Sequence, residues 1–251
     1  MTVHRQVTAA ISELEPEGLA QKGTGLQSRK SIEMRETILD ATVTCLATHG
    51  YTRTTNQLIC EIAKVSRGAM LHHYPTRQDL IVAVIEYSFY KHMKGFSASI
   101  RALSERERVD QNSGIIVDWQ SYLTPEYMAY VELHTAARTD EELKKLYVPR
   151  ARHHDRVWRD ELLEIYPEWR HDLRKLDLTR RLVRATLSGL AMNRDLWNDP
   201  NAEASLLGFL ADAVRRVRID ELKFPSPDRF PALESLKSQG RRPGARAKRR
   251  A

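Results

Sequence analysis

The stretch that decides the fold runs from Thr54 to Leu80 and reads TTNQLICEIAKVSRGAMLHHYPTRQDL. Thr54-Thr55-Asn56-Gln57 has the pattern of a capping box, in which Thr54 accepts a hydrogen bond from the Gln57 backbone N–H and the Gln57 amide reaches back. The spacing of Leu58, Ile59, Ile62 and Ala63 then predicts a short helix with one buried side. Val65-Ser66 ends it. Ser66 is a good N-cap for a second, shorter helix over residues 67–73, and Pro75 stops that one because the residue before a proline avoids helical geometry. Thr76-Arg77-Gln78-Asp79 repeats the cap signature and opens a long helix with Leu80, Ile81, Val84, Ile85 and Tyr87 turned inward. Upstream, Met34, Ile38, Ala41, Thr42, Cys45 and Leu46 recur every three or four residues, a helix of roughly four turns closed by Gly50 as a left-handed cap.

Helix, tight turn and short second helix is the layout of a helix-turn-helix, whose second helix enters the DNA major groove while the first braces it. The residues meet its demands in order. Ile59 and Ile62 pack the two helices together, Ala63 is small where they approach, and Val65 fills the turn. Gly68 and Ala69 let a nucleic-acid backbone come close, and the N-terminus capped by Ser66 offers free N–H groups to a phosphate.

The order Ile38-Leu39, Ala41, Gly50-Tyr51, Thr54-Thr55, Ile59, Ala63, Val65-Ser66-Arg67-Gly68-Ala69, His72-His73-Tyr74-Pro75 and Leu80 resembles the N-terminal domain of the tetracycline-repressor (TetR) family over residues 32–92. Two positions depart from the family pattern. Lys64 stands where the family often has Gly, and Leu71 replaces a Tyr that usually touches phosphate, so contact there is apolar or absent. The resemblance implies an all-α chain: an N-terminal three-helix, helix-turn-helix DNA-binding domain, then a larger helical-bundle domain for effector binding and dimerisation. It places Thr54, Thr55, Ser66, Arg67, Gly68, Ala69, Leu71, His72, His73, Tyr74 and Arg77 in or beside the DNA interface. Among these, Arg67 and His72 are expected at base edges, since Arg pairs bidentately with guanine O6 and N7. Thr54, Thr55, Tyr74 and Arg77 are expected on phosphates. The resemblance further implies a homodimer on a palindromic double-stranded operator, and a repressor released by a small-molecule effector.

Beyond the helix-turn-helix the pattern stays helical, with segments at about 97–121, 125–138, 140–166, 171–197 and 201–222 and breaks at Pro125, Thr139, Pro167 and Asn198-Asp199-Pro200. No stretch alternates long enough to argue for a strand. The chain therefore divides into a mobile lead-in (1–28), the DNA-binding domain (29–95, helix-turn-helix 54–74), an effector-binding and dimerisation domain (96–223) and a disordered basic tail (224–251). Two wide apolar faces, one with Leu178, Leu182, Ala185, Gly189 and Leu190 and one with Leu206, Leu207, Leu210 and Val214, suit either a four-helix dimer contact or internal core. Trp119, Tyr122, His134 and Trp158 are the polar aromatic candidates for orienting an effector in a mainly apolar cavity, although aromatics at helical spacing are more often plain core.

Charge locates partners less than its total implies. The net +7 is concentrated in the last residues, where Arg241, Arg242, Arg246, Lys248, Arg249 and Arg250 face no acid; residues 28–95 hold only nine basic against six acidic side chains. That tail reads either as auxiliary phosphate contact or as a solvated end. Cys45 and Cys60 are too few for a disulfide framework and fit a reduced, cytoplasmic setting. The longest aliphatic run, Leu80 to Ile85, is too short for a membrane span, and no export signal opens the chain. His72-His73 and His153-His154-Asp155 lack the spacing of a metal site, so neither metal nor cofactor is expected. No phosphate-binding glycine loop or nucleophile motif argues for an enzyme. The alternative reading is a DNA-binding or architectural protein without a ligand; an enzyme stands further off.

Overall fold

The computed structural model describes residues 9–19, 25–109 and 111–226, and among them no strand occurs. The helices are α1 (Ala9–Ser12), α2 (Leu26–His49), α3 (Asn56–Ala63), α4 (Arg67–His73), α5 (Arg77–Ala102), α6 (Glu105–Val109), α7 (Gln111–Tyr122), α8 (Pro125–Ala136), α9 (Glu141–Ile165), α10 (Leu173–Trp197) and α11 (Pro200–Arg218), with a 3-10 turn at Pro167–His171 before α10. Helices α2 to α5 share a core of Ile38, Leu39, Leu46, Ile59, Met70, Leu80 and Ile85 that continues into α8 and α9 through Ala129, Leu133, Leu143 and Tyr147. A second core joins α7 and α8 to α10 and α11, through Ile115, Trp119, Tyr127, Leu187, Leu190 and Leu210.

Local chemistry sets most boundaries. Thr76 and Asp79 form the reciprocal box expected at the start of α5, the Asp79 N–H donating to Thr76 Oγ1 at 3.1 Å and the Thr76 N–H to Asp79 Oδ2 at 3.0 Å. Ser66 caps α4 by accepting from the Ala69 N–H at 3.1 Å. Asp140, Asp172 and Asp199 do the same for α9, α10 and α11.

Four expectations change. The cap of α3 is Thr55, which accepts from the Leu58 N–H at 3.2 Å, because Thr54 is committed to the turn after α2: its hydroxyl donates to the Gly50 carbonyl at 2.8 Å. Gln57 then has no cap to complete, and its amide donates to Glu61 Oε1 at 2.9 Å instead. Ile62 is exposed, so Ile59 and Ala63 pack α3 without it. The helix opened at Thr76 runs to Ala102, since Phe96, Ser97 and Ile100 continue its buried face, so the 95/96 division falls inside α5 and the segment read at about 97–121 is divided among α5, α6 and α7. Within the stretch read as a mobile lead-in, Ile11, Leu14 and Leu19 are buried, the first two against Phe89, Met93 and Trp158. Helix α2 likewise starts inside that stretch, at Leu26, ahead of the boundary drawn between residues 28 and 29. The remainder of the lead-in (1–8 and 20–24) and the tail from residue 227 lie outside the described residues.

Candidate nucleic-acid interface and inner cavities

The α3–α4 pair presents a short helix braced from behind. Met70 anchors α4 in the core, and Leu71 is half-buried against the same core, so this position supports the helix from inside rather than offering a side chain outward. Arg67, Gly68 and His72 are exposed on the remaining face, beside exposed Ser66 and Thr55. A Cβ added at Gly68 would find nothing of the protein nearer than Ser66 Oγ at 3.9 Å. Glycine is therefore not demanded by the chain's own packing there, and its value is the room it leaves outside.

Three of the residues expected on DNA are turned to other work. Thr54 is 1% exposed and spends its hydroxyl on Gly50, which removes it from any phosphate contact. Tyr74 is buried, with the Arg35 guanidinium 5.6 Å above its ring, and burial raises its phenol to about 12. Arg77, though exposed, donates to the Thr54 carbonyl at 2.8 Å and lies 5.2 Å over the Tyr51 ring, pinning the start of α5 to the turn before α3. His73 is half-buried; burial and the neighbouring Arg35 and His72 hold its imidazole below the ordinary value. Ala69 is half-buried as well. The exposed members of the set are Thr55, Ser66, Arg67, Gly68, His72 and Arg77, the last with its guanidinium turned onto Thr54 and Tyr51.

Helix α5 and the helices from α7 onward line two adjoining cavities that share Tyr122, Trp158 and Arg184. The smaller, about 80 Å³, lies among Phe96, Asp118, Tyr166, Trp169 and Val183; the larger, about 480 Å³, among His92, Tyr127, Tyr130, His134 and Tyr147. Of the four aromatic candidates, Tyr122 and Trp158 line both and His134 the larger one. Trp119 lines neither: it packs against α10 and α11, and its indole N–H donates to Glu203 Oε1 at 3.1 Å. Its polar edge is satisfied by the protein, which leaves nothing for an effector.

Sequence reading missed His92, Asp118 and Arg184. His92 was legible as the next step of the inward series Ile81, Ile85, Ser88, and Arg184 as a charge set into the apolar pattern of α10. Asp118 is desolvated with no hydrogen bond to Oδ1 from the described residues, and burial raises its carboxyl to about 7. His153-His154-Asp155 is dispersed by packing: His154 stacks on Phe89 at 4.2 Å, while Asp155 receives Arg180 through two bonds of 2.6 and 2.8 Å.

Between the two regions runs a short polar link. The Tyr51 N–H donates to Glu132 Oε1 of α8 at 2.7 Å, and a Cβ at Gly50 (φ +78°) would sit 3.1 Å from that oxygen. Val131 and Thr135, to either side of Glu132 on α8, line the larger cavity.

The family model for bacterial regulatory proteins of the tetR family matches residues 38–84. A TetR family transcription regulator from Marinobacter aquaeolei VT8 is similar at 16% identity, over 73% of this chain and 96% of that one, with a TM-score of 0.55. A TetR transcription regulator from Haloarcula marismortui is similar at 18% identity, over 75% and 97%, with a TM-score of 0.54. A multidrug binding protein, EbrR, solved with imidazole, is similar at 20% identity, over 82% and 98%, with a TM-score of 0.53. Comparison with curated protein sequences returns no match.

Proposed function

We propose that this member of the TetR family of bacterial regulators is a dimeric cytoplasmic repressor that holds a palindromic operator through α4 and leaves it when a small molecule fills the cavities of the second domain. The observation that carries the DNA half is the exposed face of α4: Arg67, Gly68 and His72 stand outward on a helix whose other side, through Met70, is locked into the core. A rigid mount with one free edge-reading arginine is what direct readout requires.

Two faces support the dimer. Helix α10 leaves Leu182, Ala185, Met192 and Leu196 exposed at spacings of three, seven and four residues, along one side, and α11 leaves Ala202, Leu206 and Phe209 exposed at spacings of four and three. Met192 is 59% and Phe209 77% exposed, an apolar surface that water disfavours and a second copy would cover. The sequence left these helices open between core and dimer contact; Val183, Leu187, Leu190, Leu207 and Leu210 serve the core, which supports a dimer role for the opposite, exposed side.

The cavities support an effector, and the Glu132–Tyr51 hydrogen bond gives its binding a physical handle on the DNA-binding domain. An effector weakens operator binding only by the difference in its affinity for the two arrangements, and the coupling is reciprocal. The test is transcription in vitro from a template bearing a captured genomic fragment. Added protein lowers transcript yield if it represses; a rise overturns the repressor mode, and capture of no discrete fragment overturns the operator reading.

A further inference from the structure

The larger cavity, about 480 Å³, falls in the size range of small-molecule sites, and its wall carries two unanswered chemical demands. The first is cationic. Arg138, Arg181 and Arg184 line it and no carboxylate does. Among the described residues Arg138 and Arg181 have no carboxylate within salt-bridge distance. Arg184 reaches only Asp155, at 3.2 Å, and that carboxylate is already held by both terminal nitrogens of Arg180. Arg180 has Asp177 as a second acid at 2.8 Å, whereas Arg184 has only its share of Asp155.

The second demand is for a donor. His92 is 7% exposed and stacks on Trp158 at 5.4 Å, and its Nδ1 has no hydrogen-bond partner among the described residues. Burial pulls its pKa down to about 4, and its bond to the Ser121 carbonyl places the single proton on Nε2. Nδ1 is thus a buried acceptor without a partner, on a residue that lines the cavity, an arrangement that costs stability until a donor arrives. Between the arginines and His92 the surface is made of rings, Tyr122, Tyr127, Tyr130 and Trp158, which favour a flat molecule over a bulky one.

Building on the effector reading above, we infer that the ligand is a small planar organic acid that also bears a hydroxyl or N–H group, its carboxylate on Arg184 with Arg181 and Arg138 at the mouth, its ring among Tyr122, Tyr130 and Trp158, and its donor on His92 Nδ1. Asp118, in the adjoining cavity, is the group that would instead draw a cation, and it makes the two charge classes separable by experiment.

Calorimetric titration of the full chain with 4-hydroxybenzoate, benzoate, 4-hydroxybenzamide and tyramine tests this. The hydroxylated acid binds tightest. Arg184→Gln weakens both acids by about tenfold or more and leaves the amide unchanged. His92→Phe brings 4-hydroxybenzoate down to the affinity of benzoate without altering benzoate itself. Should Arg184→Gln melt at a lower temperature than the parent, the exposed Arg181→Gln and Arg138→Gln serve in its place, each with a smaller loss confined to the acids. Tightest binding by tyramine, equal binding of acid and amide, or acids indifferent to all three arginine variants overturns the assignment while leaving an effector site in place. Binding by none of the four overturns it too. Failure of every neutral, cationic and anionic compound in a wider library to release operator DNA is the separate result that sinks the effector reading.

Discussion

Lys64 sits at φ 56°, ψ 40°, the left-handed region, where a side chain with a Cβ is strained by about 1 kcal/mol or more and glycine is not. The conformation is imposed by the tight turn between α3 and α4, and it explains at one residue why glycine is common at this place in the pattern. Lys64→Gly is expected to stabilise the chain by ~1 kcal/mol, read as a rise of a few degrees in the thermal midpoint. Arg77 teaches the opposite lesson. Its position in the motif suggested a phosphate contact, whereas its guanidinium braces the Thr54 carbonyl and the Tyr51 ring. Arg77→Ala should therefore lower stability by ~1–2 kcal/mol and weaken all DNA sequences alike, measured by melting and by anisotropy on specific and random duplexes. Asp118 gives a signed pH effect. Its folded pKa, about 7, lies above the ordinary 3.8, so its contribution is fully present below pH 4 and is lost as pH rises through 7. Asp118→Asn should consequently stabilise the chain at pH 8, with ~4 kcal/mol as a ceiling, and make little difference at pH 4. Comparing variant with parent at each pH is necessary because His92 and His154, held neutral by burial, change stability in the other direction as pH falls below 6.5.

At the scale of elements, the caps and apolar spacing made the helices readable, and their errors have local causes. Thr54 and Thr55 are equally good caps in one dimension; only the turn after Gly50, which takes the Thr54 hydroxyl, decides between them. The domain boundary drawn after residue 95 falls inside α5, because the packing of Phe96 and Ile100 carries the helix onward past the exposed Gly95. The pair α10 and α11 could not be assigned from pattern because both of its sides are apolar, one for the core and one for the outside. Phe209 is free of core duties, so Phe209→Glu should leave the monomer folded while abolishing the dimer, as sedimentation at micromolar concentration would report. A dimer that survives this change places the contact elsewhere.

Across the whole molecule, the helix-turn-helix was legible because its residues are close in sequence and each is fixed by local stereochemistry. The cavities were only half legible. Tyr122, His134 and Trp158 were picked out as polar aromatics, but His92, Asp118 and Arg184 come from three different helices and acquire their meaning only when packing brings those helices together around the cavities. Helix α4 itself supplies Arg67 alone as a fixed cation, with His72 beside it. The proposed operator reading therefore assigns sequence preference to a few side chains on one braced helix. The most direct test is selection of bound duplexes from a random pool by the parent chain and by Arg67→Ala. The account predicts that the parent enriches a palindrome with half-sites about one DNA turn apart, and that Arg67→Ala binds it with relaxed preference at one position of each half-site. No enriched palindrome, or an Arg67→Ala variant with the parent's preference intact, would contradict it.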